Sequence, residues 1–129
     1  MNVPSDLKYA KSDEWVRVEG NTATVGISDY AQDALSDIVY VDLPQVGATF
    51  AAGAAFGSVE SVKAQSDVYL PVAGTVTAVN DTLSQSAGLV NSDPFGAGWL
   101  VKLTVTDPAA LASLMDAAAY EAFCASRAH

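Results

Sequence analysis

Lys63 is the residue of this chain best placed to do chemistry. It sits midway between two β-rich runs, 56–62 and 64–71, where a hairpin should turn. An amine there projects into solvent from a stiff support. Another enzyme can acylate such an amine, and the attached group can then carry cargo. A turn lysine taken at random is simply a solvated charge, so the residues around it must decide. The other five basic residues have ordinary settings. Lys8, Lys11 and Arg17 lie in or near polar N-terminal sequence, Lys102 alternates outward in a strand, and Arg127 is near a helix end, where the dipole favours it.

Composition removes most other chemistry. The single histidine, His129, is the last residue, and the single cysteine is Cys124. A Ser-His or Cys-His pair, a disulfide framework and a Cys- or His-built zinc site are therefore not expected. Cys124, in a helix rich in Ala and Phe, reads as a small buried hydrophobe. What remains is carboxylate chemistry, or chemistry brought in by a group attached to the chain. With 15 acidic against 6 basic residues the formal charge is −9. That excludes a nucleic-acid binder and an anionic-membrane surface, since both need clustered Lys and Arg. The longest uncharged stretch, 43–59, is broken by Pro44, Gly47, Gly53 and Gly57 and is not a membrane span. The N-terminus has neither a basic n-region nor an apolar h-region, which points to a cytoplasmic protein.

These 129 residues fit one domain, 1–129, and half are apolar, enough for a real core. Residues 14–19 and 22–27 alternate around Gly20-Asn21, a hairpin. Ser28 reads as an N-cap for a short helix over 30–35, with Asp29 favoured by the dipole and Ser36-Asp37 as the stop. Strands follow at 38–43, 56–62, 64–71, 74–79 and 99–105, with a loop over 80–98. Asp107-Pro108 predicts a helix start, and Leu111, Leu114, Met115 and Ala118 share one face of that helix. Asp116 would cap a second helix carrying Tyr120, Phe123 and Cys124. Trp15 and Trp99 read as core or cleft wall. Gly26, Gly47, Gly57 and Gly74 read as turn or close-approach positions. The class is α+β, predominantly β.

The sequence Glu60-Ser61-Val62-Lys63-Ala64, followed by Pro71-Val72-Ala73-Gly74, resembles the lipoyl-lysine hairpin of lipoyl-bearing proteins. The rest of the chain is similar to the H proteins of the glycine cleavage system. The resemblance runs through Asp13-Glu14-Trp15, Tyr30-Ala31-Gln32, Val41-Asp42-Leu43-Pro44, Ser66-Asp67, Leu89-Val90-Asn91-Ser92, Pro94-Phe95-Gly96 and Ala119-Tyr120-Glu121. Biotin carriers share the hairpin but set their lysine in Ala-Met-Lys-Met, where this chain has Val62 and Ala64.

The resemblance implies a barrel–sandwich hybrid of the lipoyl-domain type, with short flanking helices and a C-terminal helical segment. It implies lipoic acid joined by an amide to Lys63. It implies a carrier, not an enzyme, that takes an aminomethyl group from the pyridoxal-phosphate-dependent glycine decarboxylase (P protein). The aminomethyltransferase (T protein) passes the carbon to tetrahydrofolate, and dihydrolipoamide dehydrogenase (L protein) reoxidises the dithiol. Ser12, Glu14 and Asp67 match the cleft that shelters the loaded arm, and Glu60, Ser61 and Ala64 match the stretch read by the lipoylating enzyme. A monomer in a bacterial cytoplasm is expected, or in the mitochondrial matrix for a processed eukaryotic form. Lysine stem and lipoyl chain together comprise roughly ten single bonds of ~1.5 Å, a reach on the order of 10 Å.

Two positions depart from the family pattern. Asp13 stands where members often carry His, and is expected to add negative charge beside the cleft. Ser36 stands where Gly often precedes the acidic residue after the first helix. Three other readings compete: a relay of octanoyl or lipoyl groups toward 2-oxoacid dehydrogenases, an acid–base enzyme built on Glu14 and Asp67, and a binding module whose lysine stays unmodified. Retention of Ser12, Glu14 and Asp67 favours the glycine-cleavage carrier. The chain lacks the polar and aromatic set that a glycosidase-like site would require.

Overall fold

A computed structural model describes residues 1–127; His129 lies outside the described residues. The strands are β1 (Lys8–Tyr9), β2 (Glu14–Glu19), β3 (Thr22–Ile27), β4 (Ile38–Asp42), β5 (Thr49–Phe50), β6 (Ala55–Ser61), β7 (Gln65–Tyr69), β8 (Ala73–Val79) and β9 (Val101–Asp107). They form two antiparallel sheets, a six-stranded one in the order β1-β2-β3-β9-β8-β5 and a three-stranded one in the order β4-β6-β7. The helices are α1 (Asp29–Leu35), α2 (Leu89–Ser92) and α3 (Ala117–Arg127), with 3₁₀ turns at Asp81–Ser84 and Pro108–Ser113. The α+β, mainly β, barrel–sandwich expectation holds, with both sheets open.

Two apolar clusters organise the molecule. Val16, Val25 and Leu103 of the large sheet meet Ile38, Val59 and Val68 of the small one. On the other side of β2, Leu7, Tyr9 and Trp15 pack with Tyr120 and Cys124 of α3. The N-terminal half of β2 is therefore buried on both faces, and Glu14-Trp15-Val16 shows no alternation in exposure. Each such fully buried large side chain contributes on the order of 2–3 kcal/mol. Tyr9 and Tyr120 stack with ring centroids 4.6 Å apart. Cys124 is buried, as expected.

The cap at Ser28 is real: its hydroxyl accepts from the Ala31 amide, and α1 begins at Asp29. Ser36 ends α1 with φ of +70°, a left-handed turn in which Gly costs least and which a non-Gly residue adopts rarely.

The C-terminal region differs from expectation. The face of Leu111, Leu114, Met115 and Ala118 does not lie on one α-helix. Pro108–Ser113 is a 3₁₀ turn, Leu114 is extended, and Met115 exchanges two backbone hydrogen bonds with Tyr9, each 2.8 Å. That tertiary bridge overrides the local periodicity. The helix proper starts after Asp116, whose carboxylate accepts from the Ala119 amide at 2.8 Å. The loop expected over 80–98 contains α2 and the 3₁₀ turn at Asp81–Ser84.

Candidate functional site

The β6–β7 hairpin carries Lys63 at its tip. Glu60 pairs with Gln65, and Val62, Lys63 and Ala64 make the exposed turn. Ser61 closes that turn. Its amide donates to the Ala64 carbonyl at 2.7 Å, its hydroxyl donates to the same carbonyl at 3.1 Å, and its oxygen accepts from the amides of Ala64 (3.0 Å) and Lys63 (3.3 Å). The Val62 amide donates to the Asp37 carbonyl at 3.1 Å and ties the tip to the residue before β4. Lys63 thus stands free on a turn whose backbone is fixed from below. Ser61 is only 6% exposed, so it shapes the turn and offers little surface, whereas Glu60 and Ala64 are exposed.

Behind the hairpin is a cleft of about 170 Å³. The loop before β2 contributes Ser12 and Asp13, β2 contributes Glu14, and β7 contributes Ser66, Asp67 and Val68. Ile27, Ala31, Ala34, Leu35 and Val59 make its apolar wall. Ser12 and Glu14 therefore share one cavity with Asp67, more than fifty positions further along the chain. Ser66 is three residues from Lys63, so the cleft lies on the order of 10 Å or less along the chain from the lysine, at ~3.3 Å per extended residue. The apolar lining was not legible in the sequence, because α1 and β6 meet there only through the fold.

Glu14 is the electrostatic centre of this cleft. It is 1% exposed. The Ser12 hydroxyl donates to Oε1, and the Tyr69 amide donates to Oε2 at 3.0 Å. Burial pushes its carboxyl up from 4.5 to about 7; the Ser12 and Tyr69 hydrogen bonds oppose that rise, and the Asp13 charge adds a smaller upward push. The side chain is thus poised near neutral pH, where a nearby cation would favour its ionised form. Asp67 lies on β7 opposite Ser58, exposed at the cleft.

Asp13 brings the expected negative charge to the cleft lining, but that charge is held by partners outside the cleft. Its carboxylate accepts from the Tyr120 hydroxyl at 2.7 Å and forms an ion pair with Arg127 of α3. Asn91 is a further positioning residue that the sequence motif alone does not explain. Its Oδ1 accepts from the Ile38 amide at 2.8 Å, and its Nδ2 donates to the Ser36 carbonyl and the Gln32 side chain. It joins α1, β4 and α2 behind the cleft.

A larger hollow of about 450 Å³ opens around Tyr30 and Cys124, but none of Lys63, Ser12, Glu14 and Asp67 lines it. Among the described residues no three His, Cys, Asp or Glu side chains are grouped to hold a metal ion. No helix among them is long and apolar enough to cross a membrane.

A two-sheet β domain with a lone lysine on a clamped hairpin turn, above a cleft holding buried and exposed carboxylates, defines the class of lipoyl-type hairpin domains. Residues 7–127 match the family model described as glycine cleavage H-protein. The chain belongs to that family. It is 54% identical over 122 residues to the glycine cleavage system H protein of Symbiobacterium thermophilum, covering 95% of each chain. It is 55% identical over 122 residues to that of Escherichia coli O9:H4, covering 94% of this chain and 95% of the other. The crystal structure of a glycine cleavage system H protein from Mycobacterium marinum superposes with a TM-score of 0.86 at 35% identity, over 93% of this chain and 97% of that one.

Proposed function

We propose that this chain is the lipoyl carrier of a glycine cleavage system, acylated on the ε-amine of Lys63. The observation that carries this reading is the pairing of an exposed, turn-mounted Lys63 with a nearby cleft that holds Ser12, Glu14 and Asp67. The lining suits the group: its apolar wall accepts a hydrocarbon chain and sulfur, and its carboxylates accept a cationic amine. When attached, lipoic acid would supply a cyclic disulfide, opened reductively as one sulfur takes the aminomethyl group at glycine decarboxylase; the dithiol left once the aminomethyltransferase has removed the carbon would be reoxidised to the disulfide by dihydrolipoamide dehydrogenase.

The chain's own residues perform no bond-making step. Lys63 supplies reach, and the Ser61 clamp holds the point of attachment still while the arm moves. Glu14 offers a carboxylate whose ionised form is favoured when an ammonium enters beside it. The Ser12 hydroxyl and Tyr69 amide hold that carboxylate in place. Asp67 adds a second carboxylate at the rim, and the apolar wall limits water. The lipoylating enzyme meets Glu60 and Ala64 directly and Ser61 through the turn's shape.

Acylation of Lys63 takes the formal charge from −9 to −10, which suits partners with basic docking patches and a salt-sensitive encounter. Bacterial relatives support a cytoplasmic setting, and the carrier role calls for no oligomer, so we take it as a monomer. Intact-mass spectrometry tests the reading. Protein treated with lipoate and a lipoate ligase should gain one lipoyl group, and Lys63→Arg should gain none. A wild-type chain that stays unmodified contradicts the reading.

A further inference from the structure

The loop that delivers Ser12 and Glu14 to the cleft is held from an unexpected direction. Between them, Asp13 has φ of +80°, a left-handed backbone that Asp tolerates better than most residues but that here is also braced by its surroundings. The bracing contacts come from several elements. The Asp13 amide donates to the Ala10 carbonyl at 3.0 Å, and its carbonyl accepts from the Ser28 amide at 2.8 Å. Its carboxylate accepts from the Tyr120 hydroxyl, which is itself 2.6 Å from the Ser28 hydroxyl that caps α1. Finally, it pairs with Arg127, whose guanidinium lies 4.1 Å from the Tyr30 ring centroid and 4.4 Å from that of Phe123. A stacked guanidinium is a directional anchor as well as a charge.

We propose that Arg127 is a positioning residue of the arm's cleft: by pinning and neutralising Asp13, it holds the Ser12–Glu14 pair in place and leaves Glu14 as the carboxylate that meets a cationic cargo. What the cleft holds rests on the carrier reading; the role of Arg127 does not depend on it. Glu14 is faced by Ser12 and Asp13 from its own loop, by Asp67 and the Tyr69 amide from β7, and by apolar walls from α1, β3 and β6. Its charged neighbours are thus Asp13 and Asp67, and Asp13 is the one with a partner on α3. Paired, the Asp13 carboxylate gives Glu14 only the smallest of its upward pushes; unpaired, it would oppose ionisation of Glu14 more strongly.

Breaking the pair from its two ends separates geometry from charge. Arg127→Met leaves a bare carboxylate beside Glu14, so Glu14 should titrate at higher pH. Asp13→Asn removes that carboxylate, so Glu14 should titrate at lower pH. The shifts should be of opposite sign and about half a pH unit or more each. A role in packing alone would loosen the loop in both variants and move them the same way. The measurement is a ¹³C NMR titration of the Glu14 carboxyl carbon in the unlipoylated protein, with Arg127→Gln as a second variant of the same sign. Shifts of one sign in both variants, or an unmoved Glu14, overturn the proposal. The decay rate of the loaded arm in Glu14→Ala tests the carrier reading separately. If that rate is unchanged while the opposite shifts appear, the role assigned to the cleft fails and the role of Arg127 stands.

Discussion

Replacing Glu14 by Gln should exchange function for stability in a pH-dependent way. Gln keeps the shape and can accept from the Tyr69 amide and donate to Ser12, but it has no charge to bury. The wild-type carboxyl titrates at 4.5 when exposed and at about 7 in the folded chain, because burial disfavours its charge. Well below pH 4.5 it is protonated in both states, and folding carries no penalty from it. As pH rises through about 7, the unfolded chain has already lost the proton, and the folded chain must hold a buried anion. At 1.36 kcal/mol per pH unit, the difference is about 3 kcal/mol of stability that wild type has at low pH and loses by about pH 8. Urea unfolding of both proteins from about pH 4 to about pH 9 should show Glu14→Gln gaining on wild type by that order across the range. Two curves that stay parallel within about 1 kcal/mol would refute the assignment of Glu14 as a buried, raised carboxyl.

Ser61→Ala removes a buried hydroxyl that serves three backbone groups of the lysine turn, so it should cost about 1–3 kcal/mol and slow lipoylation of Lys63 while far-UV circular dichroism is unchanged. An unchanged lipoylation rate would show that the turn's shape is not what the ligase reads. Gly57→Ala places a Cβ 2.2 Å from the Asp42 carbonyl oxygen, so β4 and β6 must separate locally. Thermal unfolding should register a loss on the order of 2–3 kcal/mol, and an unshifted midpoint would contradict that contact.

Much of the site was legible because its residues are unusual where they stand. Lys63 stands between two β-rich runs, where a hairpin should turn, and Ser28 and Asp116 are capping residues with local partners. Ser12, Glu14 and Asp67 were recognised from a resemblance, and the fold brings them to one cavity. The burial of Glu14 was not legible, since Glu14-Val16-Val18 looks like one face of a half-exposed strand. Its side chain is covered by the other sheet, through Val59 of β6 and Val68 and the Tyr69 amide of β7, a contact that only the fold creates. The tie between Asp13 and Arg127 spans 114 positions and follows from how α3 docks, which no local pattern encodes. The C-terminal 3₁₀ turn escaped for the same reason: the bridge from Met115 to Tyr9 is tertiary. The two-residue strands β1 and β5 are too short to carry a period.

The most direct measurement is transfer of glycine's methylene carbon. The lipoylated chain, glycine decarboxylase, aminomethyltransferase, tetrahydrofolate and isotopically labelled glycine are combined, and labelled methylene-tetrahydrofolate is counted. The carrier account predicts label on the folate with the lipoylated chain and none with Lys63→Arg. Equal transfer by Lys63→Arg, or none by the fully lipoylated wild type with both enzymes active, would contradict it.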